Sequence, residues 1–224
     1  MIKNTKNICR VLLLSGMLLS ASACSDSFLQ TDSPNQPSQT TYWQTESDAL
    51  MALTACYDAM QIQNLYDDNI DGWKFGFLGR ETSTDNGDHT WGNWMLGSSI
   101  SQCTSATTDE CFSMYWNANY EVIKRCNMLV ENVERIPMEQ EKIEAYKAEA
   151  IALRALMYCN LTSVFRDVPY LTKPLTLSEA QAPKTERSQI ISSLLEDLKI
   201  WIPKIPVIGK AQTGRLTQEA AYAI

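Results

Sequence analysis

Ala148-Glu149-Ala150-Ile151-Ala152-Leu153-Arg154-Ala155-Leu156-Met157-Tyr158 decides the fold. It holds no glycine or proline, and nearly every residue in it is a strong helix former. The run sits inside a longer helical pattern, from about Met138 to Phe165, with Leu153, Leu156, Met157, Asn160, Leu161 and Val164 on one side. It ends before Pro169, which a helix interior does not tolerate. Toward the N-terminus a second pattern begins at Thr108-Asp109-Glu110 and runs through Phe112, Tyr115, Trp116, Tyr120, Ile123, Leu129 and Val133 to Pro137. Only a short break separates the two, so they are expected to fold back as an antiparallel pair.

Further out, Thr45-Glu46-Ser47-Asp48 resembles a capping box. It precedes Ala49, Leu50, Leu53, Cys56, Tyr57 and Met60 at three- and four-residue steps. After the Val168-Pro169 and Lys173-Pro174 breaks, a fourth helix is expected from about Ser188, using Ile191, Leu194, Leu195, Leu198 and Ile202. A fifth is capped by Thr217 and still runs at Ile224. The fold class is therefore all-α, with helices paired in the manner of tetratricopeptide repeats, although no strict repeat of about 34 residues is visible. Between Asn64 and Ser105 the periodicity fails. Gly72, Gly76, Gly79, Gly87, Gly92 and Gly97 punctuate Trp73, Phe75, Phe77, Trp91 and Trp94 there. This is a long aromatic- and glycine-rich loop region, and loops of that length usually carry function.

The first residues carry a different signal. Lys3, Lys6 and Arg10 precede nine mostly apolar residues from Val11 to Leu19, too few to span a bilayer that needs about 20. Ala21-Ser22-Ala23-Cys24 then supplies the small residues a lipoprotein peptidase requires before its cysteine, with Ala21 where leucine is usual. Residues 1–23 are expected to be a removed lipoprotein signal peptide and Cys24 the lipidated N-terminus. Residues 24–44, rich in Ser, Thr, Asn, Gln and Pro, form a tether leading into the fold. Removing Lys3, Lys6 and Arg10 leaves 16 of the 19 basic residues against all 26 acidic ones, so the net charge moves from −7 to −10. That balance argues against nucleic acid and against a polybasic membrane patch, both of which need clustered cations.

Of seven cysteines, Cys9 is discarded with the signal and Cys24 is modified. Cys56, Cys126 and Cys159 fall in helical patterns as small buried hydrophobes, and two states are open for Cys103 and Cys111, a disulfide or free thiols. One histidine, His89, and no paired-cysteine spacing leave no expected metal or cofactor. Asp85, Asn86 and Asp88 lack the spacing of a calcium loop and read as a solvated turn. Glu149 and Arg154 read as polar contacts between helices, and Trp116, Tyr120 and Tyr158 as core. No nucleophile and base arrangement or phosphate loop is present, which argues against an exported hydrolase.

Several segments together resemble the SusD/RagB family of nutrient-binding outer-membrane lipoproteins. They are Ala148 to Tyr158 continuing to Phe165-Arg166-Asp167-Val168-Pro169, Trp116 to Asn127, and Phe28-Leu29 through Ala49, then Arg187-Ser188 leading to Asp197-Leu198 and Gly214-Arg215-Leu216-Thr217. The resemblance spans essentially 24–224. It makes 45–224 the N-terminal helical domain of the family, with the C-terminal half of the family fold absent. Ile151 stands where the family commonly has arginine, and Arg166 where it has glycine before Asp-Val-Pro. The resemblance implies a cell-surface scaffold, held on the outer membrane by its lipid, that captures an oligosaccharide or polysaccharide, or another nutrient, and passes it to a SusC-like TonB-dependent transporter. It implies no catalysis.

Trp91-Gly92-Asn93-Trp94 is the recognition candidate, because sugar rings stack their C–H faces on flat aromatics while amides bond the hydroxyls. In a starch-binding relative, ligand contacts come from tryptophans one residue apart and a preceding arginine in this loop region. That adds Arg80 to Trp91, Trp94 and Asn93. The competing reading is that the tryptophans pin the loop to the core. At the level of function the alternative is a lipid-anchored helical-repeat scaffold or assembly protein without small-ligand binding; Asp26 behind the lipidated cysteine and the ordered segments favour capture.

Overall fold

Thr45 opens the first helix as its sequence suggests. Its side-chain oxygen accepts from the Asp48 amide at 3.3 Å, while Asp48 Oδ2 accepts from the Thr45 amide at 2.7 Å. This reciprocal pair satisfies two amides that the first turn leaves without partners. The helix is α1, Glu46–Ala59. A computed structural model describes residues 42–62, 65–66, 81, 84–85, 87, 104–176 and 181–224. Within them follow α2 (Glu110–Asn132), a 3-10 turn (Val133–Arg135), α3 (Gln140–Phe165), α4 (Arg187–Trp201), a second 3-10 turn (Ile202–Lys204) and α5 (Gln218–Ala221). Among the described residues there is no strand, only one antiparallel bridge between Val168 and Thr185. The fold is all-α with tetratricopeptide-like pairs.

α3 is the hub, packed against α1, α2 and α4. Its contacts show the directions. Trp116, Asn127 and Glu134 along α2 and the turn after it meet Phe165, Arg154 and Lys147 of α3 in turn, so advancing along one is retreating along the other. The expected antiparallel pair is present. On the opposite flank Arg154 meets Asp197, Lys147 meets Trp201 and Glu144 meets Lys204, again antiparallel. α1 runs parallel to α3, with Glu46 on Lys142 and Tyr57 on Glu149.

Two apolar faces differ from the sequence reading. α3 is not one-sided: residues 148–155 are buried without interruption because three helices cover it, and its alanines let them approach. In α4 the buried stripe is Ile190, Leu194 and Leu198, continued by Ile202, while Leu195 is 52% exposed. Leu50 of α1 likewise faces outward. The expected core tyrosine Tyr158 is buried, whereas Trp116 and Tyr120 are only half-buried. α5 ends at Ala221, with Ala221 buried and Tyr222 exposed. No helix among the described residues is long and apolar enough to cross a membrane.

Candidate functional site

The ends of the long loop are mounted at one end of the bundle. Leaving α1, the chain buries Leu65, and Asn160 Nδ2 near the end of α3 donates to Tyr66 Oη at 3.0 Å. The chain returns into α2, where Trp116 packs edge-on against Phe165, the last residue of α3, with centroids 5.0 Å apart. Trp116 also meets Tyr120 at 4.9 Å, and Tyr120 meets Tyr158 edge-on at 6.4 Å. The half-burial of Trp116 and Tyr120 therefore closes the core at the end from which the loop springs. Arg80, Trp91, Asn93 and Trp94 lie outside the described residues, as does Cys24. Of the loop, Thr84 Oγ1 donates to the Glu81 carbonyl at 2.7 Å in an exposed polar turn that continues to exposed Asp85; Asn86 and Asp88 are outside the described residues. Among the described residues no cluster of His, Cys, Asp or Glu is arranged to hold a metal.

Behind this end the interior polar groups are organised into two knots. Glu149, 1% exposed, accepts from both Nε and Nη2 of Arg215 and from Tyr57 Oη at 2.6 Å. Tyr57 Oη also accepts from the Leu216 amide at 2.9 Å, so one carboxylate joins α1, α3 and the approach to α5. Burial opposes charge on Arg215, but its bonds to Glu149 outweigh that and hold the guanidinium above its ordinary range. A bidentate pair with a third donor is the arrangement that makes a buried carboxylate tolerable.

In the second knot Arg154 Nη1 donates to Asn127 Oδ1 at 2.8 Å and to the Thr172 carbonyl at 3.2 Å, while Nη2 pairs with Asp197 at 3.1 Å. Asn127 Nδ2 donates to the Leu171 and Lys173 carbonyls. Tyr120 Oη donates to the Pro169 carbonyl at 2.8 Å, and Tyr158 Oη accepts from the Leu171 amide at 2.6 Å. These groups tie the extended segment after α3 back onto the helices. Glu149 and Arg154 are thus interhelical contacts, as their sequence reading held. The partners Arg215 and Asp197 were not legible: they stand 66 and 43 residues away, beyond any helical spacing.

Among the described residues, the two flanks of the long aromatic- and glycine-rich sequence meet the helical core at one end, which Trp116, Tyr120 and Tyr158 close. Residues 27–224 match the family model SusD-like_3, described as "Starch-binding associating with outer membrane", and the chain belongs to that family. It is similar to SusD-like protein P25 of Formosa agariphila, at 25% identity over 93% of this chain and 40% of that protein. Among solved structures it is similar to a SusD-like carbohydrate-binding protein from Bacteroides fragilis, at 28% identity and a TM-score of 0.71, over 82% of this chain and 36% of that one. A laminarin-binding SusD-like protein matches at 28% identity and a TM-score of 0.65, over 81% and 39%. The chain spans about 40% of the length of the curated relatives it matches.

Proposed function

We propose that the protein is a non-enzymatic, lipid-anchored glycan-capture protein of the outer-membrane surface that delivers its ligand to a SusC-like TonB-dependent transporter. The family match over 27–224, which begins three residues after Cys24, carries this reading. Residues 1–23 are the signal peptide, Cys24 takes the lipid and 24–44 act as the tether; 45–224 form the helical domain. Arg80, Trp91, Asn93 and Trp94 bind the sugar, the rings by stacking and the amide and guanidinium by hydrogen bonds. Laminarin, the ligand in one relative's name, is the first probe, and starch the second.

Two variants test the proposal. Cys24→Ala should accumulate unprocessed and leave the detergent phase on phase separation; unchanged processing and partitioning overturn the anchor. Trp94→Ala should weaken retention on laminarin or starch gels a few-fold to tenfold, the equivalent of about 0.5–1.5 kcal/mol for one stacked ring, with the melting temperature nearly unchanged. A large fall in melting temperature with retention intact assigns Trp94 to pinning the loop. Co-purification of the transporter with the wild-type chain from membranes tests delivery.

A further inference from the structure

α1 has little apolar weight to hold it in place. Its buried residues are Ala49, Ala52, Leu53, Cys56 and Ala59, and the three alanines take few methylenes out of water. Leu50 and Met51 face outward. Polar fastenings therefore decide where the helix sits. At its first turn Glu46 pairs with Lys142, an exposed ion pair of the kind that contributes little. Two stronger fastenings hold its other end. Arg125 of α2 donates to the Ala55 carbonyl at 2.8 Å and pairs with Asp58 at 3.0 Å, and Tyr57 donates to buried Glu149 at 2.6 Å. From this end the chain runs on through buried Leu65 to Tyr66 on Asn160, the N-terminal mount of the long loop.

The carboxylate that receives Tyr57 is itself held from outside the two helices. Gly214, at φ 87°, makes the turn that precedes Arg215. The Arg215 guanidinium meets Glu149 with two nitrogens and lies 4.8 Å over the ring of Tyr146. The next amide, Leu216, donates to Tyr57 Oη at 2.9 Å, so two consecutive residues grip Tyr57, one directly and one through Glu149. We propose that Arg215 is a positioning residue for ligand capture: by fixing Glu149, and through it Tyr57, it sets where α1 ends and so where the aromatic loop is mounted. Without the guanidinium, Glu149 would be a buried charge with one phenol donor, a state relieved only by protonation or by water entering between α1 and α3. Either loosens Tyr57. Lysine would restore the charge at that position without the planar fork.

The effect on the ligand rests on the glycan-capture reading above; the effect on the mount does not. Arg215→Met, Arg215→Lys and Tyr57→Phe are compared with wild type, as full chains, by hydrogen exchange with peptide mass spectrometry and by retardation in native gels containing laminarin or starch. Tyr57→Phe leaves the Glu149–Arg215 pair in place and cuts only its links to α1, which separates positioning from simple anchoring of the C-terminal segment. The amides of Met60, Gln61 and Ile62 are bonded to carbonyls of the last turn of α1 and report on the mount. In both Arg215→Met and Tyr57→Phe, exchange across 57–66 is expected to speed about tenfold while α4 keeps its wild-type protection. Gel retardation should weaken about fivefold in both, with Arg215→Lys between them and wild type. Should Arg215→Met fail to fold, Tyr57→Phe and Arg215→Lys carry the comparison. Unchanged exchange across 57–66 in Tyr57→Phe overturns the proposal, as does unchanged retardation with a loosened mount. Faster exchange confined to 206–224 in Arg215→Met assigns Arg215 to anchoring that segment alone, which overturns it too. A wild-type chain retarded by neither polysaccharide counts against glycan capture, and exchange across 57–66 then decides the positioning by itself.

Discussion

Arg166 is where a single residue departs most clearly from what its position favours. It terminates α3 with φ 64° and ψ −93°, a positive φ that costs any residue with a Cβ about 1–3 kcal/mol. The resemblance to relatives with glycine before Asp-Val-Pro has its physical meaning here: the chain must reverse sharply between α3 and the segment that Tyr158 and Asn127 hold. Arg166 is exposed, so its replacement loses no packing. Arg166→Gly is therefore expected to raise stability by about 1 kcal/mol, the relieved strain being partly offset by about 0.5–1 kcal/mol of glycine entropy. Urea unfolding should show a higher midpoint with an unchanged slope, and an unchanged or lower midpoint would refute the strain. Ile151, the other departure, is buried, and Glu149 two residues before it pairs with Arg215.

At the scale of the element, α4 shows how a helix can be read correctly and its face only in part: Leu194, Leu198 and Ile202 are buried as read, and Leu195 is not. Its sequence offers Ile190, Ile191, Leu194, Leu195 and Leu198, more apolar residues than one stripe needs. Both three- and four-residue steps fit them. Docking on α3 selects the four-residue series Ile190, Leu194, Leu198 and Ile202 and leaves Leu195 half in water. Ile190→Ala is expected to cost about 2–5 kcal/mol, and Leu195→Ala to stay within about 0.5 kcal/mol of wild type. Chemical denaturation of the two variants side by side checks the assignment. Equal losses would place α4 in a different rotation.

For the whole molecule, buried and half-buried phenols tie α1 to α3 and the segment after α3 to the helices, and their titration reports on the fold. Burial first, and for Tyr57 then the Glu149 charge, raises the pKa values of Tyr57, Tyr120 and Tyr158 above the ordinary 10.0. Each folded-state pKa is raised, so the stabilising contribution is fully present below pH 10.0. It is lost as pH climbs past that value, because the unfolded chain ionises first. Stability is expected to be flat with respect to these groups up to about pH 9 and to decline above pH 10, with phenolate absorbance near 295 nm rising together with loss of the helical circular dichroism signal. Complete phenolate formation in a chain that keeps its native dichroism would show these tyrosines to be open to solvent.

Local rules were legible in the residues. The capping signals and the apolar spacing place the helix starts within about two residues of where they fall, because capping and hydrogen bonds four residues apart act within one turn, whereas α2 ends at Asn132 short of Pro137 and α5 at Ala221 short of Ile224. The family too was readable, since its ordered segments are local strings. What tertiary structure decided is everything that joins distant turns. It set the rotation of α4, the unbroken burial of residues 148–155 in α3, Arg215 on Glu149 and Asp197 on Arg154. Those outcomes depend on which helix docks against which, and a carboxylate 66 residues from its guanidinium leaves no periodic trace of the partner it needs.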